Sequence, residues 1–510
     1  MAPSVAAGQV VDAVLRDLAT SPHRGVVVDS PPGAGKSTLV VRAAGVLAAA
    51  GGPLMIVAQT NEQVDDLVER LAGKSPELGV GRLSAVDYVP SERVRAHPSC
   101  RVGAKVPDLG GPPVTIGTAA KWATVTEGTW PWAIVDEAYQ MRSDALLRVA
   151  PRFERALFVG DPGQLDPFST VEVDRWTGLS WDPMQSAVAV LLRHNPELPV
   201  HRLPVSWRLP ASAAPVVAKA FYPFTGFRSG TGPGDRVLTF GASGNGSGPG
   251  AGPGLGGDVG LGGSGLGVGS GLGGDLGPGG GSGRGVGPGL GGGAGSGAGL
   301  GFRDGVGFGG GLGPGGGSSL PGGLGFGEVD KVLDVAAETG WGLLRLPARF
   351  TVRTDAEAAA ACALLAARAL ARGGVTTSES GEGVLTADRI AVGAAHRDQV
   401  AAIRSFLPPE ARDITVDTAN RLQGREYDLT VVLHPLSGRR DATAFHLESG
   451  RLCVLTSRHR HACVVVARDG IAELLDAHPS TEPVHLGVPV KFPDGWEANQ
   501  AMLAHLAAIS

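Results

Sequence analysis

Apolar runs of four to six residues recur through the first 240 positions, at 25–29, 54–58, 114–117, 132–135 and 156–159. They return near the other end at 389–393, 414–417, 429–433 and 462–467. Short runs rich in valine and isoleucine predict strands buried on both faces. Between them the apolar spacing changes to i, i+3, i+4, which predicts helices over 61–71, 356–371 and 399–407. An earlier helix gathers Val10, Val11, Val14, Leu15 and Leu18 on one side. Strands alternating with helices imply parallel α/β sheets, one in each half of the chain.

The two halves are separated by a stretch with neither period. Of the 81 glycines in the 510 residues, 46 fall between 241 and 330. Such a segment has too little apolar surface to offset its ordering entropy, so a disordered insertion is expected over 229–328. A glycine-rich RNA-binding segment is the alternative. Its candidates are only Arg284, Arg303, Phe302, Phe308 and Phe326, so the plain insertion is preferred. The net charge of −5 gives no global basic field for duplex binding. The four cysteines, Cys100, Cys362, Cys453 and Cys463, lack the spacing of a metal site or a disulfide framework. No basic start with an apolar core opens the chain, and no apolar run reaches the ~20 residues of a membrane helix. A cytoplasmic protein with no membrane contact is therefore expected.

Chemistry enters at the ends of the predicted strands. VVVDSPPGAGKSTLV, Val26 to Val40, reads as strand, glycine-bearing loop and helix start. Backbone N–H groups and the positive end of the helix dipole then converge on a phosphate chain. Ser30, Pro31, Pro32, Gly33, Ala34, Gly35, Lys36, Ser37 and Thr38 form the candidate nucleotide loop. Lys36 is placed for the β- and γ-phosphates and the Ser37 hydroxyl for Mg²⁺. Ser30 stands where the usual loop has glycine. In WAIVDEAYQ, Asp136 and Glu137 close another strand, at the sheet edge where ligands bind. One carboxylate suits Mg²⁺, through water, and the other suits activation of the attacking water. ALFVGDPGQLDPF then brings Gln164, placed either to sense the γ-phosphate or to lie solvated in a plain turn.

Together these residues resemble a superfamily 1 DNA/RNA helicase, an AAA-type P-loop ATPase, in the branch of the nonsense-mediated-decay helicase. SPPGAGKST, DEAY and GDPGQLDP are similar to three of its motifs. AQTNEQVDDL, PVSWRLP, AAHRDQVAAI, TANRLQGREYD and VLTSRHRHACVVV are similar to five others, in the family's order. The resemblance implies two RecA-like domains with ATP and Mg²⁺ between them, and movement 5′ to 3′. It implies that Glu137 is the base and that Arg208 and Arg458 approach the γ-phosphate. Gly424 and Glu426 would line the cleft, Trp207 would stack on the adenine and Gln9 would read its edge. Single-stranded nucleic acid would meet Thr60, Asn61, Thr118 and Thr418, although ordinary helix capping also accounts for Asn61.

The chain departs from the family pattern at Ser30, at Tyr139 and in SRHR, Ser457 to Arg460. Only about 45 residues separate Leu67 from Val114, which leaves little room for an accessory barrel. The expected organisation is a first RecA-like domain over 1–228, the insertion, a second over 329–490 and a tail helix over 491–510. The expected function is an ATP-dependent helicase or translocase on single-stranded DNA or RNA. The alternatives are an ATPase switch that binds a protein partner and a silent interaction protein. A fused nuclease finds no carboxylate–lysine cluster near the C-terminus.

Overall fold

The computed structural model describes residues 1–167, 176, 182, 185–241, 324–352, 354–478 and 494–509. Arg284, Arg303, Phe302 and Phe308 lie outside the described residues, as does most of the expected insertion. Its edges, 229–241 and 324–328, are described, and there the expected disorder gives way to the strand Val237–Thr239 and the start of the helix Phe326–Thr339.

The first half builds an eight-stranded sheet. Its strands are β1 (Gly25–Asp29), β2 (Leu54–Ala58), β3 (Val80–Leu83), β4 (Cys100–Gly103), β5 (Val114–Thr118), β6 (Trp130–Asp136), β7 (Phe153–Gly160) and β8 (Val200–Arg202). The order is β4-β3-β5-β2-β6-β7-β1-β8, and every pairing is parallel. Alternate side chains enter opposite layers: Val26 and Val28 join the cluster beneath the helix Lys36–Ala49, while Val27 joins the cluster on the other face. Burial on both faces explains the continuous apolar runs. Buried Arg82 on β3 meets the Asp65 carboxylate at 2.7 Å and lies under the Tyr88 ring, which is how a cation enters this layer.

Two short strands follow, β9 (Val205–Ser206) and β10 (Arg228–Ser229), paired with each other. β11 (Val237–Thr239) then joins a small antiparallel sheet. The second half adds β12 (Trp341–Leu346), β13 (Val375–Ser378), β14 (Gly381–Val384), β15 (Ile390–Ala394), β16 (Thr415–Thr418), β17 (Tyr427–Leu433) and β18 (His459–Arg468). The small sheet is β11-β13-β14, and the main second sheet runs β12-β18-β17-β15-β16, all parallel. Val464 and Val466 face one layer, and Cys463 and Val465 face the other. The alanine-rich helix Ala356–Ala371 covers the first of these layers. It starts at Asp355, whose carboxylate accepts from the Ala358 N–H at 3.1 Å, a cap worth about 1 kcal/mol.

The chain thus forms two RecA-like α/β lobes. Leu165, from the loop after β7, is buried in the apolar cluster of the second sheet, with Leu209 and Val217. Both flanks of the glycine-rich segment rest on the helix Ala356–Ala371 and its C-cap. The Arg368 guanidinium lies over Phe326, and Arg372 lies over Phe240 and donates to the Gly241 carbonyl. A last helix runs over Gly495–Ala508, with Met502 and Leu506 buried. Among the described residues no helix is long and apolar enough to cross a membrane.

Candidate nucleotide site between the lobes

The phosphate loop leaves β1 where Ser30 N–H donates to the Gly160 carbonyl at 2.8 Å. Gly33 and Gly35 take φ of 70° and 88°, a left-handed region that costs other residues about 1–2 kcal/mol. At Gly33 space matters as well, because a Cβ there would overlap the Arg208 side chain. The helix Lys36–Ala49 follows, with its first N–H groups facing the loop. Pro31, Pro32, Ala34, Ser37 and Thr38 line the same cleft.

Lys36 lies against both strand-end carboxylates, 3.2 Å from Asp136 Oδ1 and in close contact with Glu137 Oε1. Burial opposes the lysine charge, but the attraction of the two carboxylates outweighs it and holds the ammonium firmly protonated. Burial also raises the Asp136 carboxyl against the pull of Lys36. Glu137 is the one non-glycine described residue with positive φ, at 51°, so local strain aims this side chain into the cleft. Tyr139, the departure noted in DEAY, donates its hydroxyl to Asp29 at the end of β1.

The opposing wall carries the arginines. Arg208 Nε is 3.0 Å from Glu426 Oε1. Arg458 is 1% exposed; its Nε donates to the Val454 carbonyl at 3.1 Å and its Nη2 to Ser457 Oγ at 2.9 Å. Burial, helped by the neighbouring Arg208 charge, pulls the Arg458 guanidinium down to about 10. Two crowded cations held at one opening make a site for an anion. Trp207 N–H donates to the Gly33 carbonyl at 2.8 Å and Ser206 Oγ to the Pro32 carbonyl at 2.6 Å, so this segment is bonded to the phosphate loop. The Trp207 indole, 40% exposed, packs against Gly230, where a Cβ would enter the ring.

Gln164 is buried rather than solvated. Its amide donates to the Asp161 carboxylate, and its Oε1 accepts from Gln423 Nε2 of the second lobe at 2.6 Å. Burial raises Asp161 to about 7, although Tyr222 donates to it at 2.6 Å. Gln423 and Asp161 were not among the candidates read from the sequence, yet both stand inside quoted motifs, next to Gly424 and three before Gln164.

The structure therefore brings the phosphate loop, Asp136, Glu137, Gln164, Trp207, Arg208, Gly424, Glu426 and Arg458 to one cleft of about 1700 Å³, with Thr60 and Thr418 on its rim. Glu426 faces Arg208 there. Three candidates lie elsewhere in role or place. Gln9 is on an exposed turn of the helix Pro3–Thr20 and does not line the cleft. Asn61 Oδ1 accepts from Arg82 at 3.2 Å, which anchors β3. Thr118 Oγ1 accepts from Lys121 N–H at 3.2 Å and caps a short helix. Thr60 also serves as a cap, in a box with Gln63. Gln9→Ala is expected to leave KM for ATP within about twofold of wild type, as for a surface change remote from the site; steady-state kinetics checks it.

The donor set fits a nucleoside triphosphate with a hard divalent cation. A glycine cradle, a helix N-terminus and Lys36 suit phosphates, and the Ser37 hydroxyl and Asp136 carboxylate offer the oxygen donors such a cation takes. Among the described residues no cluster of three or more His, Cys, Asp or Glu forms a separate metal site.

A family model for an AAA domain matches residues 5–175, and a second AAA domain model matches 351–470. No curated protein matches the chain. Similar solved structures include the PRRSV helicase (11% identity, TM-score 0.38, covering 90% of this chain and 54% of that one). Another is an arterivirus nonstructural protein 10 helicase with DNA (12%, TM-score 0.38, 92% and 65%). A third is the arterivirus nonstructural protein 10 helicase by itself (13%, TM-score 0.38, 92% and 64%). The chain spans between about half and two thirds of the length of these helicases. One AAA domain thus carries the phosphate loop and the other carries the Arg458 segment, the make-up of a P-loop ATPase.

Proposed function

We propose that the protein couples ATP hydrolysis to movement along single-stranded DNA or RNA. The observation that carries this reading is the meeting of Lys36 and Glu137 from one lobe with Arg458 from the other in a single cleft. ATP bridging that cleft is cleaved by in-line attack of water on the γ-phosphorus. Glu137 takes the proton of the water, and Lys36 turns from the carboxylates to the phosphate oxygens. Arg208 and Arg458 stabilise the charge on the transferring group, and the bond to the ADP oxygen breaks. Ser37 and Asp136 would hold Mg²⁺, which would supply charge neutralisation at the phosphates. Trp207 offers an aromatic face for the base, and Gln164, bonded across to Gln423, reports whether the γ-phosphate is present.

Thr60 and Thr418 lie on opposite lobes at the rim of the same cleft, where each relative movement of the lobes would shift the grip on a strand. Contacts of that kind engage phosphates and sugars, hence little sequence preference. In this reading 1–228 is the first RecA-like domain and 329–490 the second. The test is steady-state ATP hydrolysis without polynucleotide, with single-stranded DNA and with single-stranded RNA, using Lys36→Ala as blank. Severalfold stimulation by one strand, absent in the variant, is expected and names the track. Turnover indifferent to both would replace this reading with a nucleotide switch acting on a protein partner.

A further inference from the structure

Trp207 and Arg208 stand just beyond a two-residue strand, on backbone that neither large sheet carries. Their carbonyl groups are nevertheless both held, and by one side chain. Arg236, between β10 and β11, donates from Nη2 to the Trp207 carbonyl at 2.6 Å and from Nη1 to the Arg208 carbonyl. Its side chain is 1% exposed although its surroundings are loops. The other edge of the guanidinium is closed by Glu379, at the turn between β13 and β14. Nε reaches Oε2 at 3.0 Å, and Nη2 reaches Oε1. The same Oε1 accepts from Arg460 Nη2 at 3.3 Å, two residues beyond Arg458. One carboxylate thus joins the backbone under Trp207 and Arg208 to the segment that carries Arg458.

We propose that Arg236 and Glu379 are a positioning pair that sets Trp207, Arg208 and Arg458 in register on the nucleotide. The inference rests on the ATPase reading above and adds residues to it that lie outside the quoted motifs. The chemistry requires arginine, because only a planar fork serves two carbonyl oxygens and a carboxylate at once. It requires an acid at 379, because Arg208, Arg236, Arg458 and Arg460 gather here and repel one another. The hydrogen bonds from Arg236 hold Glu379 ionised down to about 2, so the bridge persists through the neutral range. The β11-β13-β14 sheet acquires a purpose: it presents the carboxylate, and its turn lies outside the catalytic cleft. In the last motif, SRHR, Arg460 is held by the same carboxylate.

The test uses the full chain and compares wild type with Arg236→Ala, Arg236→Lys, Glu379→Ala, Glu379→Gln and the Arg236→Ala/Glu379→Ala double variant. ATP turnover and MgADP binding are measured, with Tm as a check on folding. Misplacing a catalytic group by about 1 Å costs up to about 10²-fold. Each alanine variant is therefore expected to raise KM and the MgADP Kd and to lower kcat, each by about 10-fold or more. The double variant should be no worse than the worse single one. Glu379→Gln, which keeps the size and one of the two acceptor oxygens but not the charge, should recover only part of the loss, and Arg236→Lys should recover none. Wild-type kcat and KM in Glu379→Ala, or single effects that multiply in the double variant, would overturn the pairing. A Tm loss with unchanged kinetic constants would overturn it too, leaving a structural contact only. A wild-type chain with no Lys36-dependent hydrolysis would overturn the ATPase reading itself, and this proposal with it.

Discussion

Arg458→Ala is expected to lower kcat by about 10³–10⁵-fold, the range over which an arginine finger acts in other NTPases. The size follows from where the guanidinium sits. It is buried to 1% exposure, fixed by the Val454 carbonyl and Ser457, and crowded by Arg208. Little reorganisation is needed when negative charge grows in front of it, which is the condition for a large electrostatic contribution. Burial pulls this group down to about 10, so bringing an anion relieves a cost already present. Ground-state affinity for MgADP should change far less than kcat. Single-turnover hydrolysis with parallel ADP binding separates the two. Loss of ADP binding together with turnover would mean that the side chain supports the fold of the cleft, and unchanged kcat would leave Arg208 as the finger.

Glu137→Gln should lower turnover by about 10²–10⁴-fold, the usual contribution of a positioned base, while ATP still binds. Glutamine keeps the shape, but it cannot take a proton from water. The substitution also removes one of the two carboxylates that compete with phosphate for Lys36. ATP affinity should therefore hold or rise, a direction that a merely damaged site would not show. Equilibrium ATP binding and turnover on the same preparation decide it, and near-normal turnover would assign the base elsewhere.

What the sequence discloses here depends on how local its cause is. β1, β2, β6, β15 and β17 are legible because β-branched runs buried on both faces need no partner to be recognised. The phosphate loop is legible because its glycines, lysine and serine act within one turn. β3 and β4 escape notice: VGRL and CRVG are short and carry arginine, and Arg82 becomes a core residue only when Asp65 and Tyr88 arrive to meet it. β12, WGLLRL, lacks β-branched residues, and its edge position leaves Arg345 exposed. The hairpin VTTSESGEGV is polar and has no apolar period to detect. Among site residues, most inside motifs reach the cleft, Asn61 being drawn off to Arg82, while Gln9 rests on helix position alone and does not line it. Glu379 and Arg236 are 143 positions apart, and no spacing rule joins them.

The anchoring of Phe240 and Phe326 by Arg372 and Arg368 has a consequence for how this gene can change. Two arginines one helical turn apart hold the departing and returning chain on neighbouring patches of a single helix. Closing a loop between fixed points costs only about 0.6 kcal/mol more for each doubling of its length. The position behaves as a socket: tracts can lengthen, shrink or be exchanged there while the second sheet keeps its register. It is the natural place to graft a reporter domain or to open new termini by circular permutation.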